Sequence, residues 1–206
     1  MLKFYLTFAM FFCNLVWAEN INYGSTTISV NCLANFDLNP PNVKKAIKIA
    51  LDLANQHLGY QYGSADPSTG GMDCSGTIYY LLTKLGIKSV PRSSEGLYQW
   101  VLKYGSFHPT TTNNINTTEF SNLKPGDLLF WSGTYAVQDN VSATHVMLYL
   151  GKDKQGEPLM VGASDGRTYK GKQIYGVSVF DFKLPPVNTK SKFLGYSCIP
   201  QFTCSN

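Results

Sequence analysis

The chain has 206 residues, of which 44% are hydrophobic and 15% are charged. This composition is typical of one folded globular unit and argues against a disordered chain. The formal net charge is only +4 and no run rich in Lys and Arg occurs, which argues against a surface that binds nucleic acid.

Residues 1–18 have the pattern of a secretory signal peptide. Lys3 is followed by an apolar run, and Val16-Trp17-Ala18 has the small-residue arrangement of a cleavage site. The apolar run is shorter than the ~20 residues that a membrane-spanning helix needs. We therefore expect cleavage after Ala18 and a secreted or periplasmic protein without a stable membrane anchor.

Export would place the remaining cysteines in a compartment where disulfides persist. These are Cys32, Cys74, Cys198 and Cys204. If all of them are structural, Cys74 is bonded; if Cys74 works as a thiolate, one of the others is left over. We favour a bond from Cys198 to either Cys32 or Cys204, which would join the two ends of the chain.

Two helices are predicted before any strand. The first begins after Pro41, runs over residues 43–58 with apolar residues at helical spacing, and ends at Gly59. A loop rich in Tyr, Gly and Ser leads to the second helix, which begins at Cys74 and ends at Gly86. Residues 19–42 are expected to form an N-terminal segment, and residues 43–206 a single domain.

Strand patterns follow a polar stretch, residues 105–122, which we interpret as a long surface loop. Short apolar runs separated by Gly, Asp and Pro turns occupy residues 127–131, 145–151, 158–164 and 176–182. A chain in which helices come first and a run of antiparallel strands follows is typical of an α+β fold.

Cys74 is the first candidate for chemistry. Asp73 is a favoured N-cap residue, so Cys74 falls in the first helical turn, where free N–H groups and the helix dipole favour a thiolate. The alternative is a buried or disulfide-bonded structural cysteine. We interpret the flanking glycines as positions where a substrate backbone can approach closely, namely Gly70, Gly71 and Gly76.

A nucleophilic thiol needs a base, and the chain contains 3 histidines. His57 lies late in the first helix and His108 in the polar loop, where solvated surface roles are expected. His145 begins an apolar strand, and a sheet can orient its ring towards the end of a helix. We therefore pair His145 with Cys74.

The chain resembles the NlpC-type family of cell-wall cysteine peptidases over roughly residues 43–196. The resemblance rests on the order of five motifs: Tyr60-Gln61-Tyr62-Gly63, Asp73-Cys74-Ser75-Gly76, Pro91-Arg92-Ser93-Ser94, the stretch 123–128, and His145-Val146. It implies a papain-like core in which N-terminal helices pack on a small antiparallel sheet. The family's usual reaction is hydrolysis of an amide in peptidoglycan stem peptides, typically between D-glutamate and diaminopimelate.

The resemblance also implies residue roles. Cys74 would be the nucleophile, His145 the base, and the backbone N–H of Cys74 a donor to the oxyanion. The positions that would line the substrate groove are Tyr60, Asp73, Ser75 and Arg92. Arg92 suits a substrate carboxylate, and the alternative is an ion pair on the surface. Tyr60 would help to orient the substrate, and the alternative is a tyrosine of the core. Asp127 is expected to cap the turn before its strand.

The chain departs from the family at the third polar residue, which orients the base. The matching position is Gly162, which has no side chain for this purpose. Ser164, Asp165 or a backbone carbonyl are the substitutes, and we choose Asp165 because a carboxylate would also stabilise the imidazolium. The alternative is that Asp165-Gly166 forms only a turn. The stretches 105–122 and 132–144 are insertions that could cover the groove.

The leading hypothesis is a secreted cysteine peptidase that acts on peptidoglycan or muropeptides as a monomer. One alternative is a weak or inactive relative that binds wall fragments, which predicts slow alkylation of Cys74; a functional pair predicts fast alkylation at neutral pH. Another is an amidase or toxin-like hydrolase of the same fold. No cofactor is expected, and the histidines and cysteines show no spacing typical of a metal site.

Overall fold

The computed structural model describes residues 25–137 and 141–202, and within them helices precede a mainly antiparallel sheet. The α-helices are α1, Pro41–Ala54, α2, Cys74–Lys84, and α3, Ser94–Tyr104. The predicted α+β class is confirmed, whereas α3 was not predicted. No helix in the described ranges is both long and apolar enough to cross a bilayer. The predicted signal peptide, residues 1–18, lies outside these ranges.

A six-stranded sheet forms the other layer. Its strands are β3 (Phe107–Pro109), β4 (Leu128–Ser132), β5 (His145–Lys152), β6 (Pro158–Tyr169), β7 (Lys172–Asp181) and β8 (Lys192–Ser197), and a separate parallel pair consists of β1 (Gly59–Tyr60) and β2 (Gly71–Met72). The spatial order is β3-β8-β4-β5-β6-β7, and every neighbouring pair is antiparallel. The four predicted strands are therefore confirmed, with β6 and β7 longer than expected. The short strands β1 and β2 before α2, and β8, were missed, and the stretch 105–122 is not only a loop, because it contains β3, which pairs with β8.

The first two helices pack on β5, β6 and β7. Val161 pairs with Val179 and Ala163 with Val177, so alternate residues of β6 and β7 place small apolar side chains on one face. Leu53 of α1 and Met72, just before α2, join Ala163 and Val177 in one buried cluster. A buried side chain of this size contributes about 1.5–3 kcal/mol. This packing fixes the start of α2 against the sheet, as a papain-like fold implies.

The segment before α1 belongs to the same core. Ile28, Leu33 and Phe36 are buried in the main cluster, and Leu33 forms a β-bridge with Asp153. The described residues before α1 thus pack with the rest of the domain, and the boundary predicted at residue 42 stays a prediction.

The cysteines differ in their bonding. Cys32 and Cys198 are each disulfide-bonded, while Cys74 is a free thiol. Cys204 lies outside the described residues, so the predicted pairing of Cys198 with Cys32 or Cys204 stays a prediction.

Candidate active site

Cys74 is the first residue of α2, and Asp73 is its N-cap as predicted. The Oδ1 atom of Asp73 accepts a hydrogen bond from the Gly76 N–H at 2.6 Å. Cys74 therefore lies among the unpaired N–H groups of the first turn. The side chain is buried, with the residue only 4% exposed, so the thiol lies at the edge of the core.

Hydrogen-bond donors surround the sulfur. The Sγ atom of Cys74 is 3.5 Å from the hydroxyl of Ser94, and the backbone N–H groups of Val146 and Ser75 also interact with it. Burial raises the pKa of the Cys74 thiol, and these donors offset that effect only in part. The thiol is therefore neutral in the free protein at neutral pH.

His145 is the first residue of β5 and is buried at the end of that strand. The backbone of Val146, the next residue, lowers the pKa of the Cys74 thiol, and α2 packs on β5, so the start of β5 lies near the start of α2. Burial, with a smaller effect of the charge on Arg167, holds the pKa of His145 well below its usual range. The imidazole is neutral, and its buried Nε2 has no hydrogen-bond partner among the described residues.

Asp73, Ser75 and Arg92 form one hydrogen-bonded group. Arg92 donates to both carboxylate oxygens of Asp73, at 3.1 and 2.9 Å, and to the Ser75 hydroxyl at 3.0 Å. The Gly63 N–H donates to the same carboxylate at 2.7 Å. We considered Arg92 as a receptor for a substrate carboxylate, but here Asp73 occupies both arms of its guanidinium.

Tyr60 ends β1 beside this group and is half-buried. Burial, followed by the charges of Cys74 and Asp73, raises the pKa of Tyr60 well above its ordinary value. Its phenol is therefore neutral and able to donate a hydrogen bond towards the cleft that it lines.

Among the described residues, no polar side chain at or beside Gly162 replaces the missing third residue by a hydrogen bond to Nε2 of His145. The pairing of Leu148 with Val161 continues along the antiparallel strands to set Met147 opposite Gly162. A Cβ atom at Gly162 would stand 3.1 Å from Cγ of Met147. The methionine side chain therefore fills the space in which a polar side chain from position 162 would have to lie.

Asp165, our choice for that role, does not contact His145. It is exposed beside an irregularity in the β6–β7 pairing between Ser164 and Arg167, and the described residues contain no hydrogen bond between it and His145. Its charge acts instead on Tyr60 and Arg167. The charged side chain that influences His145 is Arg167.

A cleft of about 540 Å³ opens beside His145. The segment 132–144 contributes Thr134 and Tyr135 to its wall, and the covering role suggested for that insertion stays a prediction. Asn113 to Asn116, from the other insertion, line a different cavity of about 710 Å³. The cleft beside His145 is also lined by Tyr60, Ser164, Asp165, Arg167 and Lys183.

Three further residues contact the site, and sequence analysis did not assign them a role. Ser94 lay within a motif that we noted, yet its contact with the sulfur depends on α3, which was not predicted. Glu95 accepts hydrogen bonds from the Ser142 and Ala143 N–H groups at 2.8 and 2.7 Å, which anchors the backbone that enters β5. Arg167 follows Asp165-Gly166, for which a turn was the alternative interpretation, and nothing in the pattern indicates the position of Arg167.

Gly76 has a different purpose from the one expected. A Cβ atom at this position would collide with the backbone carbonyl of Ser64. The glycine is therefore required because two segments of the chain itself approach closely, rather than for access by a substrate.

The other histidines are engaged elsewhere. His57 Nδ1 is 2.6 Å from the Ser25 hydroxyl, and the ring of His108 stacks on Tyr196. Within residues 25–137 and 141–202, no group of three or more His, Cys, Asp and Glu side chains could hold a metal ion.

Comparison with known proteins gives a family match over the middle of the chain. The NlpC/P60 family model matches residues 57–174, more than half of the chain. Murein DD-endopeptidase MepH from Escherichia coli (strain K12) is 32% identical over 120 residues, which are 57% of this chain and 38% of that protein. A crystal structure from Staphylococcus aureus subsp. aureus Mu50, described as similar to lipoprotein and of the NLP/P60 family, aligns at 22% identity and a TM-score of 0.49, with 79% of this chain and 42% of that one covered. The chain thus spans less than half of each relative.

Proposed function

The chain belongs to the NlpC/P60 family, and we propose that it is a cysteine peptidase that hydrolyses an amide bond in peptidoglycan, with Cys74 as nucleophile and His145 as base. The observation that carries the proposal is that Cys74 is a free thiol at the N-terminus of α2, and that the backbone of Val146, the residue next to His145, acts on this thiol. The name of the relative, a murein DD-endopeptidase, supports the same substrate class.

The neutral charge states suggest how the pair would work. A neutral thiol attacks the amide carbon while its proton passes to the neutral imidazole, as in general-base catalysis. Because Nε2 of His145 is buried, Nδ1 is the nitrogen left to take the proton. The backbone N–H of Cys74 would stabilise the oxyanion, a contribution of about 3 kcal/mol for one donor.

Collapse of the intermediate would then break the C–N bond. The leaving amine takes the proton from His145, and a thioester remains on Cys74. Water attacks this thioester with His145 again as base, and the carboxylic acid product leaves as the thiol is restored. Tyr60 is the neutral side chain that we propose to orient the substrate carbonyl, and the group formed by Asp73, Ser75 and Arg92 to shape the adjoining groove.

Two amide bonds of peptidoglycan are candidates for the bond that is cleaved. The family resemblance points to the bond between D-glutamate and diaminopimelate in the stem peptide, whereas the relative's name specifies a DD-endopeptidase. We propose the first bond and action outside the cytoplasm, in accordance with the predicted signal peptide and the disulfide-bonded Cys32 and Cys198.

A second candidate function is binding of wall fragments with weak or no hydrolysis. It is favoured by the buried Nε2 of His145, which has no acceptor among the described residues. The tautomer that leaves Nδ1 free to accept a proton then has an unsatisfied N–H. Loss of the orienting group at Gly162 would make His145 a less effective base.

The test uses the protein from residue 19 onwards, as wild type and as Cys74→Ala, incubated with defined muropeptides. Mass spectrometry of the products identifies the bond: a fragment cut after D-glutamate, from wild type only, supports the proposal. A fragment from a cleaved cross-link, again from wild type only, would move the assignment to the DD bond. Retained binding without product from either protein would favour the second candidate.

A further inference from the structure

Arg167 is a cation at the edge of the cleft that has no ion-pair partner among the described residues. The ion pairs among the described residues join Arg92 to Asp73 and Lys183 to Asp181, at 2.9 and 2.8 Å. Arg167 has neither an ion pair nor a hydrogen bond within that part of the chain, although Asp165 is two residues away. A half-buried guanidinium whose donors are unused is therefore available to an incoming anion.

The side chain is held in one place by aromatic packing. The Arg167 guanidinium carbon stands 4.3 Å from the centre of the Trp131 ring, and Trp131 is fully buried. The same indole ring meets the His145 ring edge to face, with centroids 5.6 Å apart. Trp131 thus forms a platform that fixes Arg167 and His145 relative to each other.

The charge on Arg167 reaches the reacting groups. It disfavours a proton on His145, and it is itself influenced by Cys74 and Asp165. Burial lowers the pKa of Arg167 to about 10, so the guanidinium remains charged at neutral pH. His145 and Arg167 line the same cleft, so an anion bound to Arg167 would lie on the side of the cleft that His145 occupies.

We propose that Arg167 binds a carboxylate of the substrate next to the scissile amide, so that the site prefers peptides that carry a free carboxylate there over peptides in which it is amidated. This inference rests on the proposed function and narrows its substrate class. Guanidinium and carboxylate form paired, charge-assisted hydrogen bonds, which an uncharged carboxamide cannot match.

The bound carboxylate has a second effect. It neutralises the charge that disfavours protonation of His145, so the imidazole becomes a better base once the correct substrate is bound. An amidated peptide has no negative charge at this position, so the positive charge of Arg167 continues to disfavour protonation of His145. The preference should therefore affect turnover as well as binding.

A probe that needs no peptidoglycan tests the carboxylate site directly. Iodoacetate and iodoacetamide alkylate a thiol by the same displacement of iodide, but only iodoacetate carries a carboxylate. Rates of Cys74 alkylation by the two reagents are measured by mass spectrometry for wild type, Arg167→Gln and Arg167→Met. We expect the ratio of the iodoacetate rate to the iodoacetamide rate to fall about tenfold in both variants.

Lys183→Gln is the matched control, because Lys183 is a cation of the same cleft but is already paired with Asp181. Its ratio should stay within about twofold of wild type, since the carboxylate site is intact. Arg167→Met keeps an apolar stem over Trp131 and serves if Arg167→Gln does not fold. An unchanged ratio in the Arg167 variants, or an equal fall in Lys183→Gln, overturns the proposal.

Hydrolysis provides the second arm. Stem peptides with the carboxylate next to the scissile bond either free or amidated are compared by kcat/KM, and wild type should prefer the free acid about tenfold while Arg167→Gln should not. If wild type cleaves neither peptide but the alkylation ratio responds as expected, the proposed function fails and the carboxylate site stands. If wild type cleaves both at equal rates, the carboxylate site is refuted and the peptidase stands.

Discussion

Arg92 donates to both carboxylate oxygens of Asp73, the residue whose side chain caps the helix that begins at Cys74. One carboxylate thereby serves the helix N-terminus, the guanidinium and the Gly63 N–H together. The position of the thiol depends on this single side chain, which fixes how α2 begins.

Replacing Arg92 by lysine should weaken this arrangement although the charge is kept. An ammonium group cannot donate to both oxygens of Asp73 and to Ser75 in one plane. We expect the free energy of unfolding to fall by about 1–2 kcal/mol and hydrolysis to fall further, because the groove is distorted. Urea unfolding and kcat/KM check this; equal activity in Arg92→Lys would show that the paired geometry is unimportant.

Ser94→Ala should slow alkylation of Cys74. The Ser94 hydroxyl is a donor to the sulfur, so its removal raises the pKa of Cys74 further above its ordinary value. If the thiolate loses about 1 kcal/mol of hydrogen-bond stabilisation, the alkylation rate of Cys74 should be about fivefold lower at fixed pH. The control is Ser93→Ala, which removes the N-cap of α3 and should cost about 1 kcal/mol of stability without changing thiol reactivity. Similar rates in the two variants would contradict the assignment.

The alkylation rate of Cys74 should still be rising above pH 9. Burial raises the pKa of the thiol from 9.0, its ordinary value, and only the thiolate reacts. At neutral pH the rate with iodoacetamide should therefore be below that of a free cysteine derivative. The sequence pattern predicted fast alkylation of Cys74 for a functional pair. The expected rate is slow instead, because both Cys74 and His145 are neutral in the structure. A rate that levels off below pH 8 would indicate a preformed thiolate instead.

Gly162 and Met147 should be energetically coupled. Gly162→His places a side chain in space that Met147 fills, and overpacking of this kind costs about 1–3 kcal/mol. With Met147→Ala in the same chain the imidazole has room, so the double variant should be more stable than the sum of the single losses. Urea unfolding of the four proteins in this cycle measures the coupling; additive losses would mean that the two side chains do not compete.

Asp127 should make stability depend on pH. It is buried in the turn before β4, where its carboxylate accepts the Lys124 N–H at 2.8 Å, and burial raises its pKa to about 7. The folded pKa lies above the unfolded value, so the folded state binds the proton more tightly. This stabilisation is complete below about pH 4 and is lost as pH rises through 7, by at most about 4 kcal/mol.

Asp127→Asn isolates this effect, because the amide keeps an acceptor for Lys124 but cannot ionise. Relative to wild type, the variant should gain stability between pH 4.5 and 8, as measured by urea unfolding at each pH. A difference between the two proteins that does not change with pH would show that Asp127 titrates normally.

Local patterns were sufficient for much of the fold. The caps and apolar spacing around Cys74 predicted where α2 begins, and the apolar runs predicted the four central strands. The helix α3 was missed although the sequence carries its signals: Leu97, Trp100 and Val101 recur at helical spacing after the N-cap residue Ser93, and all three are buried in the core. β8 was missed because its position in the sheet is set by pairing with β3 and β4, distant segments that no local pattern specifies.

The candidate site was predicted in part. Cys74, His145 and the group around Asp73 lie in motifs with a fixed order, and the structure brings these motifs together. Asp165 was chosen from its chemistry and its proximity in sequence to Gly162, whereas the irregular pairing between Ser164 and Arg167 decides which side chain approaches His145. That local departure from regular strand pairing is a three-dimensional property, so Arg167 could not be identified beforehand.

The place of β8 also determines when the sheet can be completed during synthesis. Residues 192–197 insert between β3 and β4, which have both been made much earlier. A chain that has been synthesised only as far as residue 191 leaves these two strands without their shared neighbour, and β4 carries Trp131, the platform beside His145. The cleft can therefore form completely only once residues 192–197 have joined the sheet between β3 and β4.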